Sequence, residues 1–148
     1  MLDEKIVLVT GASRGIGKAI ALTLGSSGAT VIGTATSDVG ADNISKMLVD
    51  NEISGKGIVL DVRDNDQISS LVESIKKDFG SIDILVNNAG ITRDNILLRM
   101  KEDEWEDIIS TNLTSVYKMS KSVLRGMIKK REGRIISITS VVGTMGNA

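Results

Sequence analysis

Short runs of unbroken apolar residues alternate in this chain with stretches whose apolar residues recur every three or four positions. That alternation leaves few folds open. Ile6-Val7-Leu8-Val9 is the first run. It is too short for a stable helix and suits a strand buried on both faces. A glycine-rich turn follows, then Ile16, Ile20 and Leu24 at helical spacing. Thr30-Val31-Ile32 predicts a second strand, residues 42–51 a helix, and Gly57-Ile58-Val59-Leu60 a third strand. Ile68, Leu71, Val72, Ile75 and Phe79 form the clearest amphipathic stripe. Asp83-Ile84-Leu85-Val86 predicts a fourth strand. Residues 102–130 read as a helix, bent or broken near Thr111-Asn112. Its apolar positions, from Trp105 and Ile108 to Leu124 and Met127, cover a wide arc, so it should pack on more than the sheet. Gly133 reads as the helix stop, and Arg134-Ile135-Ile136-Ser137-Ile138 as a fifth strand. Apolar strands alternating with helices imply an α/β, doubly wound parallel sheet with right-handed crossovers. One domain over residues 1–148 is expected. Ligands of such sheets bind at the carboxyl ends of the strands.

Composition narrows the chemistry. The chain has no histidine and no cysteine. That excludes Ser-His-Asp and Cys-His catalysis, disulfides, and metal sites built on those ligands; no metal is expected. Lys and Arg number 18 against 19 Asp and Glu, so no broad basic face for nucleic acid is expected. The first residues lack a basic leader pattern, and no apolar stretch is long enough to span a bilayer. A cytoplasmic location without a membrane partner is expected.

Thr10-Gly11-Ala12-Ser13-Arg14-Gly15-Ile16-Gly17 follows the first strand, a TGxxxGxG spacing. Gly11 lets the chain turn off the strand, Gly15 lets the backbone approach a pyrophosphate, and Gly17 lets the helix sit close to the sheet. The helix N-terminus offers free N–H groups to phosphates. The plain alternative is a strand-to-helix turn with incidental glycines. An NAD site needs an acid at the end of the second strand for the ribose 2′-hydroxyl. Here Gly33-Thr34-Ala35-Thr36-Ser37 stands there, with Arg14 in reach. Hydroxyls and a cation fit a 2′-phosphate, so NADP(H) is expected, although Asp38 lies only slightly further on.

Three further features complete a pattern. They are Asp61-Val62 after the third strand, Asn87-Asn88-Ala89-Gly90 after the fourth, and Asn112 and Ser140 beyond. Together with TGxxxGxG, the pattern resembles the short-chain dehydrogenase/reductase family across essentially all 148 residues. The resemblance implies a Rossmann-type fold. It implies that Gly11, Ala12, Ser13, Arg14, Gly15, Ile16 and Gly17 hold the pyrophosphate, with Arg14 near the 2′-phosphate and Thr36 by the adenine ribose. It implies that Asp61 accepts from the adenine amine beside Val62, and that Asn88, Ala89 and Gly90 pass close to a ribose. Asn112 would hold a water in a proton relay, and Ser140 would hydrogen-bond the substrate carbonyl. On the residues alone, Asp61 could instead cap the next helix, and Ser140 could be one polar strand end among Ser137 and Thr139.

Several stretches, including Leu8–Gly17 and Asp83–Asn95, resemble the branch that reduces 3-oxoacyl groups on acyl carrier protein in fatty acid biosynthesis. That implies NADPH-dependent reduction of the 3-oxoacyl substrate to the (3R)-hydroxyacyl form by a homo-oligomer, a tetramer. In this family a Tyr-x-x-x-Lys pair follows the serine. Here Tyr117, the only tyrosine, precedes Ser140, so Tyr117 and Lys121 spell the pair in the wrong place. The expectation is therefore the N-terminal part of such an enzyme, truncated after the fifth strand and inactive by itself. A non-catalytic dinucleotide-binding module and a reductase of another ketone are the alternatives. Lys129-Lys130-Arg131 reads either as favourable charge at a helix C-terminus or as a dock for an acidic carrier.

Overall fold

A computed structural model describes residues 1–146. Asn147 and Ala148 lie outside the described residues. Five strands form one parallel sheet: β1 (Ile6–Val9), β2 (Thr30–Ala35), β3 (Gly55–Val59), β4 (Ile84–Asn87) and β5 (Arg134–Ser137). Their order is β3-β2-β1-β4-β5. The order reverses between β1 and β4, and ligands bind at such a switch point. Register places Val9 opposite Gly33 on one side and Val86 on the other.

Both layers of core are built from the alternation within β1. Ile6 and Leu8 face one layer with Ile68, Leu71 and Ile75 of α3 (Asn65–Asp78) and Met119, Val123 and Met127 of α5 (Ser115–Lys130). Val7 and Val9 face the other, with Ala21 of α1 (Gly15–Ser26) and Ile44 and Leu48 of α2 (Asp38–Asp50). The apolar run expected to be buried on both faces is so buried, because helices cover it on each side.

Several boundaries differ from the sequence reading, each for a local reason. β2 runs on to Ala35, since Gly33, Thr34 and Ala35 pair with β3 and are buried. Helix α2 starts earlier than residue 42, because the Ser37 hydroxyl caps it by accepting from the Gly40 N–H at 3.2 Å. Asp38 thus sits in the first helical turn, where the N-terminal dipole favours a carboxylate. The buried face of α1 is Gly17, Ala21 and Gly25, while Ile16 is exposed. The expected stripe is therefore rotated by one residue, because only small side chains fit so close to the sheet.

The long helix is interrupted where expected. α4 (Glu102–Ile108) passes through a π-helical turn, Ile109–Thr114, into α5. Its stop is Arg131, in the left-handed conformation at φ 56°, and not Gly133. Gly133 has a packing reason instead: a Cβ there would stand 2.5 Å from Met127 Cγ. A short helix α6 (Val142–Met145) follows β5. No helix among the described residues is long and apolar enough to cross a membrane.

Candidate functional site

A cleft of about 610 Å³ opens at the carboxyl ends of the strands, over the switch point. Its floor is the glycine-rich turn. Gly11 has φ 67° and Gly15 φ 56°, a region that favours glycine. A Cβ on Gly15 would meet nothing within 4 Å, so the backbone there faces open cleft. A Cβ on Gly17 would overlap the Gly11 carbonyl oxygen and Asn88 Nδ2. Its smallness thus serves the turn and the β4 segment more than the sheet. Ser13, Arg14 and Ile16 also line the cleft. Ala12 does not: it is fully buried beneath the turn, its N–H donating to the Thr34 carbonyl at 2.9 Å.

Thr10 and Asn88 lock this floor to β4. The Thr10 hydroxyl accepts from the N–H groups of Asn88 at 3.0 Å and Ala89 at 2.9 Å. Asn88 Nδ2 donates to the carbonyls of Thr10 and Gly11, both at 3.0 Å. The TG and NNAG segments are therefore one hydrogen-bonded unit. Asn88, Ala89 and Gly90 form one wall.

The opposite wall carries Thr36, Asp61, Val62 and Arg63. Asp61 is not the cap of α3; Asp64 is, accepting from the N–H groups of Asp66 and Gln67. The Asp61 carboxylate instead takes Arg63 Nη2 at 2.7 Å, and the Arg63 backbone N–H at 2.9 Å. The hydrogen bond from Arg63 holds its carboxyl below the ordinary aspartate range, against a smaller opposing effect of burial. The Arg14 carbonyl accepts from the Lys18 N–H at 3.2 Å, but its guanidinium has no hydrogen-bond or ion-pair partner among the described residues, so its charge is available to a ligand.

A profile described as short chain dehydrogenase matches residues 5–148. The chain belongs to that family. It is 65% identical over 147 residues to the 3-oxoacyl-[acyl-carrier-protein] reductase FabG of Vibrio harveyi, covering 99% of this chain and 59% of that protein. Identity is 66% over 146 residues to its Salmonella typhimurium counterpart, covering 99% of this chain and 59% of that protein. It is 64% over 145 residues to that of Escherichia coli, covering 98% and 58%. The chain thus spans about 59% of the length of these relatives.

For a short-chain dehydrogenase, the structure separates the remaining sequence-predicted residues from the cleft lining. Asn112 stands in the π-helical turn. Its Oδ1 accepts from the Ile91 N–H and its Nδ2 donates to the Ile91 carbonyl, both at 2.8 Å. Ser140 lies exposed beyond β5, accepting from the Val142 N–H at 3.4 Å. Tyr117 and Lys121 contact each other, Nζ to hydroxyl at 3.3 Å, on an exposed face of α5 away from the cleft. Lys130 reaches back to the buried Asp83 at 2.6 Å, so it is already committed within the fold.

Sequence reasoning missed Thr10 as the hub of the floor and Arg63 on the wall. Thr10 precedes the glycines and was visible as a buried hydroxyl type at a strand end. Arg63 gave no signal, because its role depends on a carboxylate two residues away and on a helix distant in sequence. Arg93, which the sequence did not single out for the cleft, also lines it and pairs with Asp107 at 3.3 Å.

Proposed function

We propose that residues 1–148 are the NADP(H)-binding unit of a reductase acting on 3-oxoacyl groups carried on acyl carrier protein, forming the (3R)-hydroxyacyl product. The observation that carries the reading is the cleft itself. Its glycine floor is bare above Gly15, the first residues of α1 line it, and the unpaired Arg14 guanidinium lines it together with Thr36, at the strand end where a carboxylate would select NAD. These residues fit a 2′-phosphorylated dinucleotide. Identity of 64–66% to the named reductases supports the substrate class.

The Gly11–Gly17 turn would hold the pyrophosphate, Arg14 the 2′-phosphate and Thr36 the adenine ribose. Asp61 and Val62 would receive the adenine, and Asn88 to Gly90 would pass a ribose. Bound there, the reduced cofactor supplies a hydride to the substrate carbon. Ser140 would donate to the carbonyl oxygen. Asn112 anchors the loop after β4 and keeps one further lone pair and one further N–H for a water of the proton relay. The tyrosine that protonates the carbonyl oxygen in this family, and the lysine that lowers its pKa, are not Tyr117 and Lys121. The activity is therefore assigned to a protein that carries them beyond these residues, as a homo-oligomer. Lys129 and Arg131, not held as Lys130 is, are the cations left to meet an acidic carrier.

Calorimetry with NADPH and NADH tests the cofactor. Tighter binding of NADPH, with no loss of nicotinamide absorbance on adding a 3-oxoacyl thioester, is expected of the chain. Tighter binding of NADH would overturn the assignment. A non-catalytic binding module is the second reading, favoured by the placement of Tyr117 and Lys121. In-frame codons for Tyr-x-x-x-Lys shortly after codon 148 would remove it.

A further inference from the structure

Arg63 is tied down from every side. Its Nε donates to Asp61 Oδ1 at 3.0 Å, and its Nη2 to Asp61 Oδ2 at 2.7 Å. Its Nη1 reaches Asp107 Oδ1 of α4 at 3.4 Å, and Asp107 Oδ2 takes Arg93 Nη2 at 3.3 Å. The Arg63 carbonyl accepts from Lys118 Nζ of α5 at 3.0 Å. Side chains in this network are about half exposed, and exposed pairs of this kind add little to stability. What a planar guanidinium does supply is orientation, because its parallel N–H bonds fix the plane of a carboxylate.

The geometry has a consequence for the cleft. Asp61 Oδ1 is filled by the Arg63 backbone N–H and Nε, whereas Oδ2 takes Nη2 and only a longer 3.2 Å contact from Nε. Nε carries a single hydrogen, shared unequally between the two oxygens and closer to Oδ1, so Oδ2 keeps the more open acceptor site for a ligand donor. The Asp61 N–H is likewise taken, by Gln67 Oε1 at 2.9 Å. Of the two Asp61 carboxylate oxygens, Oδ2 is thus the acceptor left to a ligand. The two carboxylates are balanced by two guanidiniums, so the wall carries no net negative charge toward ligand phosphates.

We propose that Arg63 is a positioning residue that makes the cleft select a 6-amino purine over a 6-oxo purine, by holding Asp61 Oδ2 toward the base. A 6-amino group donates to that oxygen; a 6-oxo group sets two acceptors against each other. Asp107 is the outer anchor of the same device. This inference rests on the dinucleotide reading above, with the adenine against Asp61.

Calorimetry with adenosine 2′,5′-bisphosphate and its deaminated, inosine analogue tests it. The unsubstituted protein binds the adenosine compound about tenfold more tightly, the scale of one hydrogen bond to a charged group. Arg63→Ala loses most of that preference while the thermal unfolding midpoint stays unchanged. Asp107→Ala reduces it in the same direction by a smaller factor. Should Arg63→Ala fail to fold, Arg63→Lys makes the same comparison, since an ammonium keeps the charge without the planar fork. A full preference retained in the Arg63 variant overturns the inference alone. Absence of any binding by the unsubstituted protein overturns the dinucleotide reading and the inference together.

Discussion

β1 and β5 belong to the same sheet and differ in almost every physical respect. No residue of β1 exceeds 7% exposure, and both its faces meet helices. All four residues of β5 are exposed, with Ile135 at 39% and Ile136 at 45%. The same contrast separates the helices. α2 buries Ala41, Ile44 and Leu48 against the sheet. α4 buries none of its residues, and α5 leaves Tyr117, Leu124 and Ile128 exposed. Both faces of β1 are enclosed, with α5 completing the layer over Leu8, while β5 and the outer faces of α4 and α5 present apolar surface that favours association. The cleft lies over the carboxyl ends of β1 to β4, at the switch point.

Substitutions should register this contrast. Leu8→Ala, in the fully buried centre, should cost about 4 kcal/mol in denaturant unfolding, and the same truncation at Ile136 should cost less than about 1 kcal/mol. Equal costs would break the comparison. Gly17→Ala should cost about 3 kcal/mol by overpacking against Gly11 and Asn88, and should abolish NADPH binding in calorimetry. Thr10→Val leaves the N–H groups of Asn88 and Ala89 without their acceptor; about 2 kcal/mol is expected, with weaker cofactor binding. Ile128→Lys combined with Ile136→Lys should change stability by under about 0.5 kcal/mol and lower self-association in sedimentation.

The smallest effect concerns pH. Asp61 has a lowered folded pKa, so its contribution is present above the ordinary aspartate range near about 3.9 and is lost only as pH falls through the lowered value. Removing Arg63 should move that loss upward toward the ordinary range. Carboxyl NMR titration of Asp61 reads it directly, and an unmoved titration in Arg63→Ala would show that the ion pair is not its cause.

Much of this arrangement is legible in the residues. Unbroken apolar runs locate the strands and period-four apolar spacing the helices, because burial acts on each segment separately. Hence β1, β4 and the interrupted helix near Asn112 are found within a residue or two. Caps and edges are less accessible. Asp64, not Asp61, caps α3, and Arg131, not Gly133, ends α5, because both choices depend on which neighbours are already committed. Gly11, Gly15, Asn88 and Arg14 are readable as cleft residues from local motifs. Arg63 is not, since its partner Asp107 lies 44 positions away.

The sequence by itself determined the alternating α/β order, the glycine turn and the absence of histidine and cysteine chemistry, all of which follow from local spacing and residue type. Only the tertiary structure decided that Thr10 and Asn88 bind the two motifs into one floor, that Lys130 is spent on Asp83, and that Arg63 commands Asp61. Those decisions need side chains from separate strands and helices at hydrogen-bonding distance, and a chain acquires such neighbours only on folding.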